Sequence, residues 1–533
     1  MNILRVKRIN VAWLVVFLVM LGLSIAGCIV TPRKDIFDME NTHIFANVAW
    51  MITATIFVLM MTPGLSFFYG GMVRAKNVIS TMLQSFIVMG VVSVIWVVFG
   101  FSLAFGQDIG HIIGDPATFF MFDNVGVTNI TDSGHEWTQT GIATTTIPLA
   151  LFALFQMKFA IITPSLITGS FAERVHFVGY LLFMVLWTIL VYCPLAHCTW
   201  HPEGLFGMMH VHDYAGGIVV HAASGIAALA GAIFLGKRTE NAGTKPANVP
   251  FVLLGAALLW LGWFGINGGS SLAADGIAIS AFLNTNTAAA TAMTVWVSTD
   301  GLKGHKPSAM GAAIGAVVGL VAITPMAGWV SVGQSICTAF IITFCCNMAC
   351  SWKGYGHMLD DALDVFPTHG LGGIIGTLLT GVFAYDFFAA QDPHIISHSQ
   401  FFWNHVIVLL LVIAYTFVVS YALYWMTDKI IPMRVSRTSE KIGLDKSQHD
   451  EVYGGETGLA EDSMSAADWY VTWNEPADGY FQRPHHPLRP FSYTSEICPC
   501  RGFSLTLRAY GKETYTGGHV GRRRQLRRLP HAA

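Results

Sequence analysis

The chain has 533 residues, 53% of them hydrophobic and only 12% charged, against about 25% charged in an ordinary soluble domain. Its 30 Lys+Arg and 32 Asp+Glu nearly cancel, so no net field draws it to nucleic acid. A soluble core could not keep this much apolar surface dry, which excludes a soluble globular enzyme, and the hydrophobicity excludes a disordered chain.

In chain order, the first apolar segment, 11–27, is short and follows Arg5, Lys7 and Arg8. Residues 1–28 read as a secretory signal peptide or an uncleaved signal anchor, with Ile25-Ala26-Gly27-Cys28 as a lipoprotein-type cleavage site. Eleven longer apolar runs follow, near 44–66, 79–106, 148–171, 175–196, 213–236, 250–270, 277–298, 308–329, 331–352, 366–385 and 401–427. Each suits a helix of about 20 residues crossing about 30 Å of hydrocarbon. The expected fold is an all-α polytopic membrane protein with eleven transmembrane helices. Only ten Lys or Arg stand between Ile44 and Thr427, against fifteen from Asp428 to Ala533. Loops bearing Arg74/Lys76, Arg174, Lys237/Arg238/Lys245, Lys303/Lys306 and Lys353 alternate with loops 107–147, 197–212, 271–276 and 386–400, which have none. The positive-inside rule then predicts a multi-pass protein of the cell (inner) membrane, its N-terminus outside after leader removal and its C-terminus cytoplasmic. The nine cysteines mostly lie in apolar segments and read as small buried hydrophobes rather than a disulfide scaffold.

An internal repeat points to a site. The fifth run opens with Asp213 and has His221 and Gly225; the tenth has Asp361, His369 and Gly373. Both read D-x7-H-x3-G at the same ordinal place in two five-span halves, with one helix left over at the C-terminal end. Halves of five spans insert in opposite directions, and inverted repeats place functional groups at their interface near the midplane. A single intramembrane histidine is more often a neutral structural residue, but two at matched positions favour function. Asp213 and Asp361 read as caps of backbone N–H groups, hence structural support. Small residues including Gly216, Gly217, Gly225, Gly370 and Gly373 allow close helix approach. The two imidazoles can then share a proton, one donating and the other accepting. With no third ligand or carboxylate beside them, neither a metal nor a cofactor is expected.

The chain resembles the Amt/Mep/Rh ammonium transporter superfamily, on the Amt side, over roughly residues 44–453. The resemblance rests on Pro63-Gly-Leu-Ser-Phe-Phe-Tyr-Gly-Gly71, Phe171-Ala-Glu-Arg174, Asp213 through His221, Gly262-Trp-Phe-Gly265, Asn284-Thr-Asn-Thr287 and Asp360-Asp361 through His369. It implies a homotrimer of two inverted five-helix repeats plus a C-terminal helix, with one path for ammonium/ammonia through each subunit. His221 and His369 match the family's pore pair. Trp200, Phe155 and Ser270 match its outer cation-recruitment site, and Phe159 the second of two stacked gate rings. Gln156 is expected to assist at Phe155, and Trp263 and Asp213 to support the site. For each aromatic the plain alternative is core packing. Two residues depart from the pattern: Ile266 stands where many members place a pore-lining Phe, and Lys158 where the family has an uncharged residue.

The implied mechanism is ammonium held outside, deprotonated there, and passed as ammonia by Phe159 and Ile266 to the histidine pair, with methylammonium accepted too. No enzyme activity is expected. The transmembrane domain is placed at 44–427 and a cytoplasmic regulatory tail at 428–453, which in the family contacts neighbouring subunits and a PII-type signalling protein. Residues 454–533 read as a disordered extension whose Arg522-Arg-Arg524 cluster suits anionic membrane lipid. The alternative function is an ammonium sensor signalling through the tail.

Overall fold

A computed structural model describes residues 42–123, 125–126, 147–239, 245–352, 359–392 and 394–454, with Val15, Leu18, Val19 and Gly22. Apart from those four positions and residue 454, the expected leader and extension lie outside the described residues. The long helices in chain order are α1 (Thr42–Met72), α2 (Val78–Ile95), α3 (Leu149–Ile167), α4 (Phe177–Trp187), α5 (Ala223–Leu235), α6 (Val249–Gly269), α7 (Gly276–Leu302), α8 (Ala309–Ile323), α9 (Val332–Ser351), α10 (Leu371–Phe383) and α11 (His398–Ile430). Four are interrupted without breaking. π turns carry α2 through Trp96–Gly100 to Phe101–Phe105 and α4 through Thr188–Tyr192 to Cys193–Trp200, and they precede α5 at Gly217–Ala222 and α10 at Phe366–Gly370.

Among the described residues nine helices are long and apolar enough to cross a membrane, which makes this a multi-span membrane protein. The other two, α7 and α10, stand where the expected spans 277–298 and 366–385 fall. The polar run in α7 is partly paired inside the protein: Asn284 Nδ2 donates to Ala327 O at 2.9 Å and Val330 O at 2.7 Å, and Thr285 Oγ1 accepts from Asn267 Nδ2 at 2.9 Å, while the Oδ1 atoms of both asparagines are buried without a hydrogen-bond partner. Such pairs lower the cost of polar side chains in a low-dielectric setting. Outward faces are apolar, as Ile407, Leu410, Leu411 and Val418 on α11 show.

Local sequence sets the helix ends. Ser331 and Gln334 form a reciprocal capping box at the start of α9, and Asn248, Asp275, Ser308 and Ser397 cap α6, α7, α8 and α11. α1 and α6 then lie against each other over their length because glycine removes the obstruction. A Cβ at Gly255 would meet Phe68 N at 2.3 Å, and one at Gly265 would meet Ala54 O at 2.4 Å.

The loop arginines are not free charges. On this basic face, buried Glu173 pairs with Arg74 Nη2 at 2.9 Å and Arg238 Nη1 at 2.8 Å. Arg238 Nη2 also meets Asp360 Oδ1 at 2.8 Å, and Arg174 Nη2 donates to Asp360 O. Burial works against the charge on Glu173, but hydrogen bonds from Arg74 and the field of Arg238 hold its carboxyl below the usual carboxylate range. Asp360 is likewise below its range, burial being outweighed by Arg238 and Arg174.

The segment after α11 packs on this network. Val175 and Arg434 form a β-bridge, Arg434 meets Glu440 at 3.0 Å, and Asp445 accepts the N–H groups of Ile79 and Ser80 at the start of α2. The tail expected at 428–453 therefore contacts loops of its own chain.

Candidate functional site

Each half of the chain builds a helix start in the same way. Asp213 Oδ1 accepts the N–H groups of Gly216 and Gly217 at 2.8 and 2.7 Å, and Oδ2 those of Ile218 and Val219 at 2.7 and 3.3 Å. Asp361 Oδ2 accepts Phe366 N–H at 2.8 Å, the same i to i+5 step as Asp213 to Ile218. Both aspartates thus serve as caps, as the spacing suggests. The first helix starts later than the apolar run. Gly216, at φ +118°, turns the chain so that helical structure begins at Gly217 rather than at Asp213. His221 consequently lies about 6 Å along the helix, not two full turns.

The matched histidines meet. His221 and His369 are buried, their Nδ1 atoms are 3.4 Å apart, and their rings lie 5.5 Å apart at 24°. Only glycine permits this approach: a Cβ on Gly225 would fall 2.1 Å from Gly370 Cα, and one on Gly373 would fall 2.9 Å from His221 Cβ. Two facing Nδ1 atoms hold one proton between them, with one ring donating. Trp263 stacks on His221 at 5.4 Å and 16°, and its Nε1 donates to Thr324 Oγ1 at 2.7 Å, which fixes the stack. His221 Nε2 is buried without a hydrogen-bond partner. It is a polar atom of the pair left to address a small solute, and His369 lines a small cavity of its own.

A line of side chains leads to this pair from the face opposite the arginines. Trp200, Phe159 and Phe155 form a run of edge-to-face rings, with centroids 5.7 Å apart for Trp200–Phe159 and 5.0 Å for Phe159–Phe155. Trp200 Nε1 donates to Asp213 O at 2.9 Å, so one residue ties the indole and the histidine-bearing helix together. Gly269 leaves room for Phe155, whose Cε2 would be 2.8 Å from a Cβ there. The next residue, Ser270, donates its hydroxyl to Ile266 O at 2.8 Å, leaving lone pairs to accept. Ser270, Ile266 and Trp263 are spaced by four and three residues on one face of α6, running about 10 Å inward to the indole that stacks on His221. Ile266 is buried, and so is Gln156 next to Phe155, with its Oε1 lacking a hydrogen-bond partner.

On the other side of His369 a cavity of about 20 Å³ is lined by Phe68, Tyr69, Met72, Leu363, Thr368 and His369. That is room for one water-sized molecule. Lys158 stands apart from the line. It shares the outward stripe of α3 with exposed Leu154, and its Nζ lies 3.7 Å from Met157 Sδ. The long-range partnerships of Glu173, Asp360 and Asp445 were not anticipated. Glu173-Arg174 and Asp360-Asp361 were visible as motifs, but nothing local names their partners.

The geometry can be set beside known proteins. A model of the Ammonium Transporter Family matches residues 49–453. A putative ammonium transporter of Methanothermobacter thermautotrophicus is 42% identical over 412 residues, covering 76% of this chain and 97% of the relative. The crystal structure of Saccharomyces cerevisiae Mep2 aligns with a TM-score of 0.68 and 32% identity, over 78% of this chain and 92% of that one. A structure described as a sensor Amt protein aligns with a TM-score of 0.69 and 26% identity, over 77% of this chain and all of the other. The family model and the relatives each cover about three quarters of the chain. This chain belongs to the ammonium transporter family.

Proposed function

We propose that the chain takes up ammonium, and methylammonium, by conducting ammonia along the line from Trp200 to His369. The observation that carries this reading is the Nδ1–Nδ1 distance of 3.4 Å between two buried histidines at the end of an apolar, ring-lined approach. Trp200, Phe155 and Ser270 recruit the cation, where each ring face adds about 0.5–2 kcal/mol. Ammonium gives up its proton there, with Gln156 beside Phe155, and ammonia passes Phe159 and Ile266. The Nε2 atoms of the pair then hydrogen-bond it in a dry passage, while the shared proton holds the two rings together. An alkali cation of similar size has no proton to lose and meets the full cost of desolvation. Asp213, Asp361 and Trp263 support this arrangement.

The same reading places eleven spans in two inverted five-helix halves plus α11, in the inner membrane with the arginine face cytoplasmic. The domains run over 44–427 and 428–453. The apolar face lined by Trp50, Phe264, Ile279, Phe282 and Leu283 suits contact with further copies in a homotrimer. The docked tail is where a PII-type protein would act. Growth rescue on limiting ammonium, comparing the parent with His221→Ala and His369→Ala, tests the proposal. Rescue by both single variants and by the double variant, with alkali cations still excluded, would sink it. The likeness to a sensor Amt protein favours one alternative: a chain that binds ammonium and signals through its tail would rescue poorly even as the parent.

A further inference from the structure

The cavity beside His369 has walls of two kinds. On one side stand buried groups that other bonds hold in place. Tyr69 donates its hydroxyl to Leu166 O at 3.0 Å, and Thr368 Oγ1 donates to Asp364 O at 2.6 Å. Phe68 is buried as well, and α6 lies against its backbone, where a Cβ at Gly255 would meet Phe68 N at 2.3 Å. On the other side are Met72, Ile314 and Leu363, each half-buried and none able to donate a hydrogen bond from its side chain. Met72 stands two residues before Arg74, and Leu363 three after Asp360. This aliphatic side is therefore the one toward the arginine face.

The three aliphatic residues come from separate elements whose backbones are fixed. Met72 ends α1, and its neighbours Gly71 and Val73 accept the N–H groups of Asn248 and Ala247 at 3.0 and 2.9 Å. Ile314 lies within α8, which packs closely on α7: a Cβ at Gly315 would fall 2.6 Å from Trp296 Cβ. Leu363 follows Ala362, whose N–H donates to Ser170 O at 3.0 Å, in the turn that Asp361 ties to Phe366 N–H. The backbone cannot widen the chamber without breaking these contacts, so only side-chain rotation at the three positions can. A volume of about 20 Å³ admits one molecule the size of water or ammonia. Methylamine carries a second heavy atom, and close-packed interiors respond to a change of a single methylene.

We propose that Met72, Ile314 and Leu363 set the size of amine that the chain passes, and that the chamber they close restricts its substrates to ammonia and, more slowly, methylamine. The inference deepens the ammonia-conduction reading and rests on it. Ammonia fits the chamber with the three side chains at rest. Methylamine fits only when one of them turns aside, and an apolar site of this kind discriminates one methylene by about 10–200-fold. Longer amines need two of the side chains to turn together and are excluded.

The test is uptake by proteoliposomes holding the full chain, with the maximal rates for ammonium and for methylammonium expressed as a ratio. The parent's ratio is expected to exceed about ten. Ile314→Ala and Met72→Ala each remove wall atoms, and each is expected to lower the ratio about fivefold or more. Ile407→Ala, on the exposed face of α11, is expected to keep the parent's ratio. A parent ratio near one, or a ratio that neither alanine variant moves, would overturn the assignment while leaving ammonia conduction standing. If the parent takes up neither substrate, or the double variant His221→Ala, His369→Ala keeps the parent's rates, the conduction reading fails and the inference goes with it. Should Ile314→Ala fail to fold, Ile314→Val, which removes one methyl, carries the comparison beside Met72→Ala.

Discussion

Replacing Gly225 with alanine tests whether helix approach, rather than the mere presence of two histidines, makes the site. The added methyl would lie 2.1 Å from Gly370 Cα, 2.2 Å from Gly370 N and 3.1 Å from His369 C. The obstruction is backbone, so no side chain can swing aside. Two carbons need about 3.5 Å, and the helices must part by roughly 1.4 Å. The histidine nitrogens, at 3.4 Å, are already at the outer limit of a hydrogen bond, and any such parting breaks it. The structural cost is overpacking of about 1–3 kcal/mol. The lost hydrogen bond adds about 0.5–1.5 kcal/mol. If the solute loses a comparable contact in passing, transport falls about tenfold. The assay is ammonium uptake by proteoliposomes, alongside thermal unfolding in detergent. Gly207→Ala is the control, because its nearest neighbour would be 3.9 Å away. Full uptake by a folded Gly225→Ala protein would refute the argument that the shared proton matters.

Three further outcomes are expected. Lys158→Met preserves or raises uptake, because Nζ meets only a thioether on an outward stripe and removing it relieves about 2.5–3.5 kcal/mol of insertion cost; collapse of uptake would place the amine in the path. Asp213→Asn costs about 1.5–3 kcal/mol, since an amide cannot accept four N–H groups as the carboxylate does, and uptake should fall with the loss of the helix start; unchanged thermal stability would contradict this. Glu173 and Asp360 have carboxyls below their ordinary range, so their contribution is complete above that range and is lost as pH falls through the folded values. Asp364, pushed up to about 7 by burial and by Asp361, acts oppositely and makes the protein more stable as pH falls from about 8 to 6. Thermal unfolding against pH should therefore show a shallow rise toward pH 6 and a steep loss only below about pH 4; a loss that begins near pH 6 would contradict the depressed pair.

What the sequence disclosed depended on whether the signal was periodic or paired at long range. Apolar runs and the twice-written D-x7-H-x3-G pattern are local, and they led to the helices and to His221 and His369. Spacing alone could not disclose the π turns at Gly217–Ala222 and Phe366–Gly370, because a π turn looks like any other stretch of helix in composition. The turn at Gly216 was equally hidden, and its consequence is geometric: His221 sits nearer the helix start, where the capped N–H groups are. The arginines illustrate the opposite limit. Counted by loop they predict an orientation, yet Arg74, Arg174 and Arg238 are held inward by Glu173 and Asp360.

Asp213 explains why these parts act together. Its carboxylate is spent on four N–H groups of the helix that carries His221, and its backbone carbonyl takes the Trp200 indole. A movement of Trp200 therefore pulls on the start of the histidine helix, and a movement of that helix pulls on the indole. His197, one turn before Trp200, adds a tie to Asp108 at the same corner. On the proposed function, a cation seated at Trp200 and a neutral solute at His221 would thus address one connected piece of the chain. Chemistry at the mouth and selectivity at the histidines should accordingly resist separation by single substitutions at Asp213, whereas substitutions at Ser270, which bonds only its own helix, should change affinity alone.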